Sequence, residues 1–404
     1  MKIGILTYCK VANFGANLQA LSTYCYLQNH GFEPIIIDWF PLDFERRICK
    51  ENNSLQASAH FDFVKAYMNF TKTCRTTNEV IEIINSEKIK GIIVGSDAVL
   101  QHTPVLQRLR LSRKSLLVYL NIDSTRSFPN PFWGDWLNSI TIPAVIMSAS
   151  NQGCNFYKYP GVTMKKMTHL LQKFNYLSVR DEWTKKMVQY VTKGKINPDI
   201  TPDPVFGFKY NCKQLIPSKS TLFEKYGIRK PYVLLSFRTL SLINDLGDKW
   251  FRDLIGIFEK QGYECYLLPM PNGLPYKYAD VRTITVPLNP IDWYALIQNA
   301  AGYIGQNMHP IVTALSNGTP LFCFDDYANR NPMQKSKVED ILEIFSVGDN
   351  CTNVYRHGNI YPSPEFVYKK IIDFSSNYDS EQEKKYYIEY ENMMKSITSV
   401  FVEK

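Results

Sequence analysis

Short uninterrupted apolar runs alternate along the chain with longer stretches of 3.6-residue periodicity, and glycine or proline separates them. The runs at 3–6, 34–38, 91–94, 143–147 and 176–179 predict buried parallel strands. Segments 16–29 and 164–174 predict helices, and Asp181 is placed to cap another. Strand 3–6, helix 16–29 and strand 34–38 have the length of a βαβ unit, with Gly31 ending the helix. Residues 42–90 are mostly helical in pattern. A poorly patterned insert with Pro129, Pro131, Phe132, Trp133 and Trp136 interrupts the series, and the proline-rich segment 197–204 closes it. A second series begins near Ser218. It has strands at 232–237, 264–268 and 303–304, and helices at 248–261 and 290–299. In the tail, Tyr386, Tyr387, Tyr390, Met393, Met394 and Ile397 fall at helical spacing and predict a long amphipathic helix over 380–402.

Two alternating series predict an α/β fold of two doubly wound Rossmann-like domains facing a cleft. The expected units are 1–213 on the acceptor side of the cleft, 214–375 on the donor side and a C-terminal helix, 376–404, packing back on the first domain. Ligands in such sheets bind beyond the carboxyl ends of the strands. Asn13, Gly15 and Asn17 follow the first strand, Asp97 follows 91–94, Arg180 follows 176–179, Arg238 follows 232–237 and His309 follows 303–304. Each has a plainer reading: ion pairs for the arginines, turns for the asparagines, a cap for Asp97 and packing for His309. Their coincidence at five strand ends favours a cleft site. In the stretch 301–324, Pro310 fits a first helical position, Gly318 a left-handed C-terminus and Pro320 a stop. His309 then lies at a helix start, where unpaired N–H groups and the dipole suit an anion.

The composition adds limits. Of 404 residues, 45% are hydrophobic and 21% charged, as in a folded protein of about two domains. Aromatics reach 14%, through 26 Tyr and 23 Phe, which suits carbohydrate contact or core. The net charge of +8 is scattered without a basic block, so nucleic acid is not an expected partner. A mild positive field would still favour an anionic substrate or an acidic membrane surface. Nine cysteines without a CxxC pair read as core thiols of a reducing compartment. A strand at the start, with no signal-like segment, makes a cytosolic location the expectation. No apolar run approaches the ~20 residues of a membrane span. P-loop, GxGxxG, HExxH and GxSxG motifs are lacking, and no metal site is expected.

Several pieces in order carry a resemblance: Lys2-Ile-Gly-Ile-Leu-Thr7, Asn13-Phe-Gly-Ala-Asn-Leu-Gln-Ala-Leu21, Gly95-Ser-Asp97, Leu177-Ser-Val-Arg-Asp181, Pro202-Asp-Pro204 and the stretch from Gly305 to Pro320. Spread over about 320 residues, they make the chain resemble the polysaccharide pyruvyl transferase family. That resemblance implies a fold like glycosyltransferase type B. It implies transfer of the enolpyruvyl group of phosphoenolpyruvate onto a sugar as a ketal, in capsular or exopolysaccharide synthesis, with no further cofactor. Arg180 and His309 occupy the family's donor-site positions. The family's Arg-Leu-His reads here Asn307-Met308-His309, so one arginine is missing; Arg238, Lys335 or Lys337 is the expected replacement. His309 is the expected general acid, at the methylene carbon or the departing phosphate, and Asp97 the group positioning the acceptor hydroxyl. The acceptor would be a sugar, free or lipid-linked. With a lipid-linked acceptor, Phe132, Trp133 and Trp136 would be either a membrane-facing contact or a buried edge. Two rival readings stand beside this one: a nucleotide-sugar glycosyltransferase, and a glycan-binding protein without catalysis.

Overall fold

A computed structural model describes residues 1–51, 54–111, 118–120, 122–273, 281–325, 336–354 and 361–402. Two six-stranded sheets dominate it, every strand parallel to its neighbours. The first contains β1 (Lys2–Leu6), β2 (Glu33–Ile36), β3 (Gly91–Asp97), β4 (Ala144–Ala149), β5 (Tyr176–Val179) and β6 (Asp199–Ile200), ordered β2-β1-β3-β4-β5-β6. The second contains β7 (Tyr232–Ser236), β8 (Glu264–Leu267), β9 (Arg282–Thr283), β10 (Gly302–Gly305), β11 (Leu321–Asp325) and β12 (Cys351–Asn353), ordered β9-β8-β7-β10-β11-β12.

Both orders reverse once, at β1/β3 in the first sheet and at β7/β10 in the second. Doubly wound sheets open a crevice beyond the strand ends where the order reverses. Here the crevice residues are those after β1 and β3 and those after β7 and β10. They meet between the lobes.

The aromatic insert is core. Phe132, Trp133 and Trp136 are at most 2% exposed, and Trp136 Nε1 donates to the Pro131 carbonyl at 3.1 Å. Asn130 explains the winding: its Oδ1 accepts from the N–H groups of Phe132 and Trp133. Its Nδ2 donates to the carbonyls of Ser124, Thr125 and Ser127. The tight turns that result point the rings inward, so a membrane-facing role for them is excluded. Among the described residues, no helix is long and apolar enough to cross a membrane.

The tail helix spans Ser380–Val402. Its Phe401 lies against Gly91, and Tyr390 lies against Gly207 and takes a hydrogen bond from Asn211 at 2.7 Å. Tyr386 packs on Phe206 and on Phe345 of the second lobe. The predicted helix 248–261 is the second part of Leu240–Lys260, which breaks at Gly247 with φ 74°; the first part, 240–246, lies outside the predicted span.

Candidate active site

A hollow of about 290 Å³ sits between the lobes, lined among others by Asn13, Asp97, Gln152, Arg180, Arg238, Asn307, His309 and Lys337. Its size is near the small end of ligand pockets, roughly 300–1,000 Å³.

Helix α1 (Phe14–Asn29) forms one wall, and Asn13 is its N-cap, accepting from Ala16 N–H at 3.3 Å. Helix α2 (Met308–Leu315) faces it from the second lobe. It starts two residues before Pro310, which is therefore the third helical residue. Its missing N–H is still one of the four that lack a helical partner. His309, the second residue, presses on α1: a Cβ at Gly15 would lie 1.9 Å from the imidazole Cγ. Gly15 is a seat for the ring.

One turn along α1, Gln19 Nε2 lies 2.5 Å from Asp203 Oδ2 and 3.3 Å from His309 Nε2. An amide nitrogen carries two hydrogens and accepts none. The carboxylate takes one, so the imidazole Nε2 accepts the other and the ring's own hydrogen sits on Nδ1; the network assigns this tautomer. Burial, the largest influence, lowers the His309 pKa; Asp203 and Asp97 raise it, Arg180 and Lys337 lower it, and the net is a depression. The ring is neutral at neutral pH.

Arg180 is nearly buried, its side chain 7% exposed, and its Nη1 pairs with Asp203 Oδ2 at 2.7 Å. Asp203 in turn accepts the Val205 N–H at 3.0 Å. One carboxylate thus fixes the guanidinium and the amide that holds the imidazole. The Arg180 Nε is buried with no hydrogen-bond partner. An unpaired buried donor costs about 1–3 kcal/mol, which an arriving acceptor would relieve.

Lys337 opens helix α3 (Lys337–Ile344), which Ser336 and Glu339 cap reciprocally. A cation at a helix N-terminus is disfavoured by about 0.3–1 kcal/mol. Here Asp181 Oδ2, 3.3 Å from Nζ, and the Ser150 hydroxyl hold it. Burial leads in lowering the lysine's pKa. For Asp181 burial is again the largest influence and acts upward, but Lys337, Thr184 and Arg180 outweigh it and the carboxyl stays below its usual range.

Arg238 is exposed on the rim. Its N–H and that of Thr239 donate to Gln306 Oε1 at 2.8 and 3.1 Å, tying the β7 end to the β10 end. Asn307 and Asp97 both have left-handed backbones, φ 78° and 82°. Such conformations cost non-glycine residues about 1–3 kcal/mol and cluster at functional sites.

The hollow therefore brings together Asn13, Asp97, Arg180, Arg238, Asn307, His309 and Lys337. Two sequence-level candidates do not contribute side chains to it. Gly15 contributes space. Asn17 is fully buried: its Nδ2 donates to the Cys9 carbonyl at 2.7 Å and its Oδ1 meets His60 Nδ1 at 2.5 Å. A helix places residues four apart on one face, so Asn17, two on from Gly15, turns inward. Lys335 lies outside the described residues; Asp325, at the end of β11, lines the hollow, and Asn353 Nδ2 donates to its Oδ2 at 3.2 Å. Gln19, Ser150, Gln152 and Asp203 were not foreseen. Gln19 was signalled by its four-residue spacing from Gly15, and Asp203 by the proline on each side.

Comparison with solved structures places the fold. The UDP-GlcNAc 2-epimerase of Methanocaldococcus jannaschii is 12% identical with a TM-score of 0.51, covering 93% of this chain and 92% of that one. S. aureus MnaA, in a co-structure with UDP, is 13% identical with a TM-score of 0.50, covering 95% and 90%. At such identities the likeness concerns the two-domain Rossmann-like architecture alone. Curated protein sequences give no match. A sequence model of one family, polysaccharide pyruvyl transferase, matches residues 13–326, a span that includes Asn13, Arg180, Asp203 and His309. The chain belongs to the polysaccharide pyruvyl transferase family.

Proposed function

We propose that the chain moves the enolpyruvyl group of phosphoenolpyruvate onto two hydroxyls of one sugar, forming a cyclic pyruvate ketal. The observation that carries this reading is the single hollow in which Arg180, Arg238 and Lys337 surround a neutral His309. Arg180 and Lys337 would hold the donor's phosphate and carboxylate, helped by the α2 N-terminus. Arg238 and Lys337 line the same hollow as Asn307 and would supply the charge of the arginine absent there.

Donor binding adds negative charge beside an imidazole whose proton affinity burial has depressed. The ring then takes up a proton and becomes a competent acid. It gives that proton to the methylene carbon, which becomes the methyl group, and C2 gains oxocarbenium character. A sugar hydroxyl adds to C2 and passes its proton to Asp97. The C2–O bond to phosphate breaks, and phosphate leaves with the proton from Asp97. The second hydroxyl closes the ketal and its proton restores His309. Both hydroxyl protons are accounted for, one on the methyl group and one on phosphate, with donor and acceptor as the only reactants.

A second reading draws on the fold, which nucleotide-sugar enzymes share. Thermal-shift titration separates the two, because a ligand raises the melting temperature according to its concentration over Kd. Phosphoenolpyruvate should stabilise the protein and UDP-sugars should not. Phosphate release on incubation with donor and acceptor glycans tests the chemistry. Stabilisation by UDP-sugars alone would reverse the choice.

A further inference from the structure

Three further hollows share residues with the donor hollow; one, about 450 Å³, meets it at Arg180, Met308 and Lys337, with no carboxylate on that edge among the described residues, and the other two differ in chemistry. One, about 540 Å³, is walled by Phe14, Trp293, Met270 and Arg238, and among the described residues no carboxylate lines it. The other, about 550 Å³, belongs to the first lobe and is lined by Tyr8, Arg47, Asp97, Asp123, Arg126 and Gln152 among others. Asn13, Asp97, Ala98 and Gln152 line both this hollow and the donor hollow. An attacking hydroxyl needs a proton acceptor within reach. Asp97 is the carboxylate on the shared edge, so the first-lobe hollow is the one that suits a sugar acceptor.

That hollow also holds two arginines on one acid. Arg47 Nη1 and Arg126 Nε converge on the same oxygen of Asp123, the latter at 3.3 Å. Asp123 is buried, and its other oxygen accepts the Thr125 hydroxyl at 2.8 Å. Two guanidiniums against one carboxylate leave this cluster, apart from Asp97 elsewhere in the lining, with an excess positive charge. Arg47 is braced over the Phe44 ring at 5.0 Å. The arginine side chains are 32% and 43% exposed, against 7% for Asp123, so the cationic side of the cluster is the one solvent reaches. A neutral sugar has no use for this excess. Guanidinium forks match phosphate and carboxylate oxygens.

We propose that the acceptor carries an anionic group, a phosphate or a carboxylate on the sugar, which Arg47 and Arg126 bind while the reacting hydroxyls face Asp97. The proposal rests on reading the neighbouring hollow as the donor site. Galactose 1-phosphate, galacturonate and galactose, titrated by calorimetry into the full chain with and without saturating phosphoenolpyruvate, test it. At least one charged sugar should bind ~10-fold or more tightly than galactose, a charge-assisted bond's worth, and should do so with the donor hollow filled. Which of the two prevails distinguishes a phosphorylated acceptor from an acidic sugar. Arg126→Gln should erase the preference and Arg126→Lys restore part of it, with phosphoenolpyruvate affinity unchanged in both. Arg126 is the residue to change because Arg47 still partners Asp123 and supports folding. Equal binding of all three sugars by the native protein overturns the proposal, as does a preference that survives Arg126→Gln. Failure of phosphoenolpyruvate to bind, with the preference and its loss intact, overturns the donor reading instead and leaves the anion site standing.

Discussion

At Gly15 a methyl group has nowhere to go, because it would lie 1.9 Å from Cγ of His309. Gly15→Ala must push the imidazole away or part α1 from α2. Overpacking a closed contact costs about 1–3 kcal/mol, and moving a catalytic group by 1 Å costs about 100-fold in rate. The expected protein is folded, melts a few degrees lower and releases phosphate at least ~100-fold more slowly. Near-native turnover would mean that the ring's position is irrelevant. His309→Gln removes the acid without the collision. Its melting temperature should stay close to the native value while turnover falls by ~10²–10⁴.

At the scale of elements, α1 does more than span the first lobe. Its N-cap lines the hollow, and its first two turns seat the imidazole and hold it through Gln19. Gln19→Met keeps the volume and removes the N–H that Nε2 accepts. The neutral ring then loses its partner and Asp203 loses a neutralising donor, so the His309 pKa should rise. The alkaline limb of the kcat/KM profile, where the acid loses its proton, should move to higher pH, and an unmoved limb would contradict the tautomer assigned to His309. This element also shows how far sequence reading reaches. The strands, the βαβ order and the strand-end residues were legible, because apolar runs and glycines mark them directly. Asn17 was misplaced because the loop was drawn too long; with Asn13 as cap, the helix begins at Phe14 and carries Asn17 inward. Asp203 stood in the Pro202-Asp-Pro204 piece of the resemblance without a role, because nothing in sequence marks which arginine a buried carboxylate pairs with, and it turned out to be the buried anchor of Arg180. The aromatic insert has no periodicity because its turns are too short to display one, so its burial became visible only with Asn130 in place.

Across the whole molecule, the lobes are joined as well as facing. Phe14 of the first stacks on Trp293 of the second with centroids 5.0 Å apart, and the Gln56 amide pairs both ways with the Leu288 backbone at 2.9 and 2.7 Å. Beneath this junction His60 is fully buried, and burial pushes its pKa down from 6.5 to about 4. His102, 5% exposed in the first lobe, is depressed to about 4 by the same cause. Both rings are neutral when folded and charge on unfolding below their ordinary pKa. Between about 4 and 6.5 the unfolded chain binds more protons, so stability is full above this window and falls as pH drops through it. By pH 5 the loss should approach about 2 kcal/mol per ring. Urea midpoints at pH 7.5 and 5 read it directly, and equal midpoints would show that these rings are not held neutral.

The central claim is that Arg180 and His309 grip one small polyanion between two lobes. Calorimetric titration of phosphoenolpyruvate into the native protein and into Arg180→Lys tests it most directly. Lysine keeps the charge opposite Asp203 but loses the fork, including the buried Nε that has no partner. Loss of a charge-assisted hydrogen bond, about 1.5–3 kcal/mol, should weaken binding by ~10–100-fold. Equal affinity in the two proteins, or no binding by the native one, would contradict the claim.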